Sequence, residues 1–489
     1  MKINLKNYIL AVGFVLLLGS CSSDFLEHTP TEFISEAAAT ADTDALYLSL
    51  NGIHRSMYLR YESQGETGVG GIMQQMDIAG EDLVYTASNG WYQTVYNWTA
   101  ASNDNSQEIK FPYRTFYRII RNANAIINNA DGAVGPQEAK NITKGQALLY
   151  RAFSHFQLVQ IYAKRYVNGA VNSQDGVPLI LNTVDIVGRS SVEDVYTQIN
   201  ADIDEAISLL NGYNKPNNSH LDLPVAYGLK ARVNLVQGNW STAADNAVKA
   251  RAGKSLMTIA QYTSGFNDYT NPEWMWGSDI VEVQTAYFAN FGAYMSRNFN
   301  STVIRGCPKA INSKLYDLIP TTDVRSKIFD KTGKHTALAL PSSFFKAGYT
   351  SQKFLSISSA DSRCDVPYMR VAEMYLIEAE AKAKLGSADA AKVLYDLVVK
   401  RDPSYVLSTK IGQALVDDVI FQRRIELWGE GFRFFDLKRT NSNLDRTGAN
   451  HNTTFTGGVL SVPSTDKRWQ WLIPRAEINA NPLIKQNEL

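Results

Sequence analysis

The residues able to do covalent or metal chemistry are scattered in this chain. Six histidines stand at 28, 54, 155, 220, 335 and 451, none within ligand spacing of another, and the three cysteines form no C-x-x-C; the common zinc and redox patterns are therefore absent. There is no H-E-x-x-H, G-x-x-x-x-G-K-[ST], G-x-S-x-G or G-x-G-x-x-G, so zinc-protease, nucleotide-hydrolase, serine-hydrolase and dinucleotide-binding readings lose their usual support. The sequence calls for no metal and no cofactor. A pair of carboxylates about 5 to 9 Å apart, as glycoside hydrolysis needs, leaves no linear signature and stays open. The densest charged run, RRIELWGEGFRFFDLKR (Arg423 to Arg439), could pass for a catalytic cluster. Its signs alternate around a helix end, with Arg423, Glu426 and Glu430 at i, i+3, i+7 and Gly431 as the helix stop, which reads as an ion-paired structural corner. His155 sits inside a strongly apolar helix and reads as a core or helix-surface residue. Cys307 and Cys364 could pair in an oxidising compartment or stand as separate small apolar residues.

The elements that hold these residues are helical. Apolar residues recur at helical spacing from about Ala37 to Arg60 (Ala45, Leu48, Ile53, Met57), from Phe111 to Asn129 and from Glu138 to Lys164, the last apolar on more than one side. Ser191 followed by Asp194 caps a further helix carrying Val195, Ile199, Ile203 and Ile207. Ala226 to Ala250 reads as two helices broken at Gly238-Asn239, and Val371 to Arg401 as two more around Gly386-Ser387. These are units similar to tetratricopeptide repeats, each needing neighbours to bury its apolar face. From about Gly253 to Pro367 the helical periodicity fades into loops, with a short strand predicted at Ile280 to Thr285 and packed tryptophans, Trp274 and Trp276, before it.

Lys2 and Lys6 precede an apolar stretch, Tyr8 to Leu18, too short for a spanning helix and right for a secretory leader. Its end, Leu17-Leu18-Gly19-Ser20-Cys21, resembles a bacterial lipobox, in which Cys21 is acylated and becomes the first residue. A polar tether follows. Across the 489 residues, 48 Lys+Arg balance 48 Asp+Glu, so bulk charge argues for neither nucleic acid nor a polybasic membrane face. With 45% hydrophobic and 11% aromatic residues the chain can build a large core. The segments divide as 1–20 leader, 21–35 lipidated tether, 36–252 N-terminal helical repeat region, 253–367 loop-rich ligand or capping region, and 368–489 C-terminal helical repeat and closing segment.

Taken in order, the lipobox, FYRIIRNANAII (116–127), GQALLYRAFSHFQLVQIYA (145–163), GVPL (176–179), SVEDVYTQINADIDEA (191–206), YGLKARVNLVQGNW (227–240), MRVAEMYLIEAEAKAKLG (369–386), the Arg423 to Arg439 run and IPRAEINANP (473–482) resemble the SusD/RagB family of outer-membrane nutrient-binding lipoproteins. The resemblance implies an all-α fold of tetratricopeptide-like helical repeats with a loop-rich insertion carrying short strands, and no catalysis. It implies that the protein captures an oligosaccharide, or in one branch peptides, at the cell surface for a SusC-like TonB-dependent transporter barrel, anchored in outer-membrane lipid through Cys21. The alternatives are a peptide-binding RagB-type subunit, a lipid-anchored glycoside hydrolase, and a repeat scaffold without a small ligand.

Glycans are held by aromatic faces stacked on the apolar faces of sugars, with amides and carboxylates satisfying hydroxyls. Two stretches carry that mixture. Ala79 to Trp98 supplies Asp82, Tyr85, Asn89, Trp91, Tyr92 and Trp98, and Phe266 to Tyr294 supplies Tyr287, Phe288 and Tyr294. The candidate ligand-binding residues are therefore Asp82, Tyr85, Asn89, Trp91, Tyr92, Trp98, Tyr287 and Tyr294.

Overall fold

The structure is a computed structural model that describes residues 35–88 and 90–488. The leader, Cys21, nearly all of the tether, and Asn89 lie outside the described residues. The longer helices are numbered in chain order. Helix α1 (Thr43–Ser56) opens on Asp42, whose Oδ1 accepts from the Ala45 amide at 2.8 Å. Its inner stripe is Leu46, Leu50, Ile53 and Met57; Ile53 and Met57 are buried as the spacing predicts, whereas Leu48 is turned to solvent and Ala45 is only partly buried. Helix α2 (Gly68–Ile78) is buried along its whole length. Helices α3 (Gln107–Asn129) and α4 (Gln137–Tyr162) pack along one another, and α4 is buried on several sides, as its apolar residues predicted. Helix α5 (Val192–Leu209) has the Ser191 cap: Ser191 Oγ accepts from the Asp194 amide at 3.0 Å and donates to its carboxylate at 2.6 Å.

The two predicted helix pairs both form. Helix α6 (Leu223–Gln237) ends at Gly238, in the left-handed region at φ +75°, and α7 (Trp240–Arg251) returns beside it. Far along the chain, α8 (Val371–Lys384) turns at Gly386 into α9 (Ala390–Val398), followed by α10 (Gly412–Glu426) and α11 (Arg433–Arg439). Helix α8 lies directly against α7, where Ala243, Ala247 and Ala250 are buried and small enough to let the helices approach. The second pair thus continues the stack begun by the first, and residues 253–367 are an excursion between them. Among the described residues no helix is long and apolar enough to cross a membrane.

That excursion is closed at its two ends by one antiparallel pair, Trp274–Ser278 with Val366–Arg370. The predicted strand at Ile280 to Thr285 does not form; Glu282–Gln284 is a 3-10 turn with its side chains in solvent. The strand lies six residues earlier, where Trp274, Met275 and Trp276 are buried and a partner strand is at hand. A four-stranded sheet, in the order Leu83–Tyr85, Lys309–Ile311, Thr350–Ser351, Phe329–Asp330, ties the N-terminal region to the excursion.

The charged run folds into an ion-paired corner with a different shape from the one expected. Helix α10 ends at Glu426, and Gly429 and Gly431 (φ +80° and +85°) turn the chain into α11, so Gly431 leads into the second helix instead of stopping the first. The charges pair with remote segments. Glu426 meets Arg370 at 3.1 Å, Arg401 at 3.0 Å and Arg325 at 3.5 Å, and Glu430 meets Arg370 and Lys353, each at 2.6 Å. Glu273, at the head of the closing strand, bonds Arg370 and Arg401. Every one of these groups is buried. Burial alone would push the Glu426 carboxyl up, but Arg401, Arg370 and Arg325 hold it far below the usual carboxylate range.

Candidate functional site

The surface with the chemistry to hold a ligand is built where the chain leaves α1. Gly68, at φ +64°, turns the chain into α2; a Cβ there would lie 2.4 Å from the Met57 carbonyl oxygen, so only glycine allows the turn. The loop it closes, 59–67, is pinned to α3 by Arg114, which bonds Glu62 at 2.6 Å and the buried Glu66 at 2.7 Å. The Arg118 guanidinium lies 3.6 Å above the Tyr61 ring.

Onto this loop folds the segment after the Leu83–Tyr85 strand. Tyr85 donates to the Trp91 carbonyl, and Tyr92, held at φ +63°, donates to the Gly65 carbonyl. Trp91 consequently lies flat on Gly65, where a Cβ would come within 3.2 Å of its ring. From the excursion comes Tyr294, edge-on to Trp91 at 5.7 Å and 78°, its hydroxyl donating to the Gln64 carbonyl at 2.7 Å. The Gln64 amide in turn donates to the Phe288 carbonyl at 3.0 Å. Tyr287 and Phe288 stand on the buried Phe299 at 5.1 and 6.0 Å and against each other at 4.5 Å. They are 47% and 51% exposed, and Trp91 is half-buried. Exposed aromatic rings such as Tyr287 and Phe288 are what a stacking surface requires.

The structure divides the eight candidate residues. Trp91 and Tyr287, from the two separate stretches, are brought to one small cluster, Trp91 on Tyr294 and Tyr287 on Phe299. Tyr294 is buried as support. Tyr92 is buried, its hydroxyl spent on Gly65. Tyr85 is stacked on Tyr96 at 4.7 Å with the Lys309 ammonium over it at 4.4 Å. Trp98 is 3% exposed, edge-on to Trp469 at 4.8 Å, with its indole N–H donated to the Ala79 carbonyl at 3.0 Å. Asp82 is buried against Arg424 at 2.6 Å. Asp82, Tyr85, Tyr92 and Trp98 are thus a correction to the expected loop platform: their polar atoms and ring faces are already engaged in the core. Asn89 lies outside the described residues. Sequence reasoning left Phe288 and Gln64 out of the site; Phe288 carried the signal of its neighbour Tyr287, and Gln64 carried none.

Cys307 and Cys364 are both buried and free, Cys307 donating to the Ala87 carbonyl at 3.2 Å. His155 is fully buried in α4, and burial together with Arg151 pushes its imidazole down to about 3.

Comparison with known proteins follows the same lines. A model of the SusD family matches residues 326–489, and one described as starch-binding and associating with the outer membrane matches 68–235. SusD-like protein P25 of Formosa agariphila is 20% identical over 98% of both chains. A SusD-like carbohydrate binding protein from Bacteroides vulgatus superposes with a TM-score of 0.80 at 25% identity, covering 91% of this chain and 97% of that one. A laminarin-binding SusD-like protein shares the fold at a TM-score of 0.69 and 20% identity, covering 91% and 99%.

Proposed function

The chain belongs to the SusD/RagB family, and on that premise we propose that it is a surface nutrient-binding subunit that captures an oligosaccharide and passes it to a SusC-like TonB-dependent barrel in the outer membrane. Binding, without bond cleavage, is the whole of its chemistry. The observation that carries the reading is that Trp91 and the pair Tyr287 and Phe288, from segments nearly two hundred residues apart in sequence, pack on the same small cluster of Tyr294 and Phe299, with Tyr287 and Phe288 about half exposed. Clustered exposed aromatic rings are a common mark of a binding surface. Sugar rings fit that role, since their axial C–H faces stack on aromatic rings while their hydroxyls keep water at the edges. The carbohydrate binding of the Bacteroides vulgatus relative and the laminarin binding of another support a glycan over a peptide.

The lipobox supports attachment at Cys21, which would hold the binding face at the membrane surface through acyl chains worth about 0.8 kcal/mol per buried methylene. Calorimetric titration of protein starting after Cys21 with laminarin, starch and cellulose oligosaccharides and with mixed peptides tests the ligand class. The expected result is saturable glycan binding without turnover, weakened in Trp91→Ala. Peptide binding alone would move the protein to the RagB-type branch, and turnover lost on changing one carboxylate would make it a hydrolase. Cys21→Ala should leave a folded protein in the soluble fraction; unchanged membrane fractionation would remove the lipid anchor from this account.

A further inference from the structure

A second, deeper cavity lies beyond this face, of about 530 Å³, between α1, the 217–220 loop and the start of the exposed segment 279–284. Its rim carries Asn51, Arg55, Asn217 and Asp279, and its floor carries His54 and His220 with their rings edge to face at 4.5 Å. Tyr58 and Gln284, joined by a side-chain hydrogen bond, line the cavity as well.

The hydrogen bonds fix what the floor offers. His54 Nδ1 is hydrogen-bonded to the Tyr150 phenol at 2.6 Å. His54 Nε2 is closed off within the wall and offers the cavity no polar atom. The Gln146 carbonyl oxygen accepts from the Leu221 amide at 3.0 Å and faces His220 Nδ1 at 3.2 Å, so His220 donates there and Nε2 carries the free lone pair. Burial and the neighbouring His220 hold His54 neutral, while burial and Lys215 push His220 down to about 4. The His220 lone pair thus stands among the side-chain amides of Asn51 and Asn217 and the hydroxyls of Ser219 and Ser278, with a rim whose Arg55 and Asp279 offset in sign.

That combination matches vicinal hydroxyls, each of which both donates and accepts. It offers no net charge to an anion or a cation. The volume lies within the range for small-ligand pockets and suits one or two sugar residues. We propose that this cavity is a separate binding site for a compact neutral sugar of one or two residues, distinct from the Trp91–Tyr287 face and not dependent on it.

Saturation-transfer NMR of protein starting after Cys21, titrated with glucose, galactose, xylose, maltose, cellobiose and laminaribiose, tests it. At least one of the six should bind saturably. Asn217→Trp, a change on an exposed loop at the mouth, should abolish that binding with an unchanged melting temperature. His220→Phe, which keeps the stack on Tyr47 but removes the acceptor, should weaken it by about tenfold. Trp91→Ala should leave it unchanged, and loss of long-oligosaccharide binding in Trp91→Ala reports on the aromatic face alone. Absence of binding by all six sugars, or wild-type binding in Asn217→Trp, would overturn the proposal.

Discussion

The Glu273–Arg370–Arg401–Glu426 cluster and the Trp91–Tyr287–Phe288 face are both assembled from segments distant in sequence, yet one excludes water entirely and the other keeps its rings half in it. Both join the excursion to the helical stack. In the charge cluster each carboxylate finds two or three cations, and no polar atom is left over for a ligand. On the aromatic face the support is complete on the inner side, through Tyr294, Phe299 and Gly65, and absent on the outer side. Density of chemically capable residues therefore does not mark the site in this fold. What marks a candidate surface is capability left unspent after packing.

The largest effect should come from opening the cluster. Glu426→Ala strands Arg325, Arg370 and Arg401 without their shared carboxylate in a dry interior, and should lower stability by about 3 to 5 kcal/mol. Chemical denaturation measures the loss, and glycan affinity in the folded fraction should be unchanged. Normal melting with lost affinity would make the cluster part of the site and collapse the contrast. Trp98→Ala tests the same contrast among aromatics: it removes a ring packed on Trp469 and should cost about 3 to 5 kcal/mol through lost burial and a cavity. A Trp98 variant that melts normally and loses glycan would return that ring to the binding surface.

The repeat stack was legible because its signals are local. Ser191 before Asp194, Gly238 after α6 and Gly386 after α8 each act within one turn of helix, and all three function as read. The strand at Trp274–Ser278 was missed by a few residues because a strand depends on a partner, here Val366–Arg370, about ninety residues on. The site was half legible for the same reason. Composition picked out both aromatic stretches, but whether a ring lies inside or outside depends on what arrives from elsewhere: Trp469 covers Trp98, Arg424 takes Asp82, and Tyr287, packed on one side by Phe299, stays 47% exposed.

Acid should separate the interior from the face at a smaller cost. An imidazole depressed in the fold keeps its full contribution above its unfolded value of 6.5 and loses it as pH falls towards the folded value. His155, pushed down to about 3 by burial and Arg151, should therefore cost about 2 kcal/mol of stability by pH 5. Asp77, pushed up to about 7 by burial, works in the opposite direction, so the measurement is the difference between wild type and His155→Leu. The variant's stability should fall less steeply from pH 6.5 to 5. Equal slopes would mean that His155 is not held neutral by the core.

The smallest effect is the one that bears on function. Trp91 and Tyr287 do not touch each other; they are joined through Tyr294 and Phe299 beneath them. If one glycan spans both rings, each alanine substitution should cost on the order of 1 kcal/mol of affinity, as truncated aromatic anchors do. The double variant should then lose less than the sum of the two, because a ligand freed from one ring no longer holds its place on the other, and the coupling should be about 0.5 kcal/mol or more. Melting temperatures should move little for Tyr287→Ala, whose ring is half in water, and somewhat more for Trp91→Ala, which uncovers Gly65 and Tyr294. Strict additivity in a calorimetric double-mutant cycle would mean that the rings serve separate ligands, and a Tyr287→Ala variant with full affinity would confine the site to Trp91.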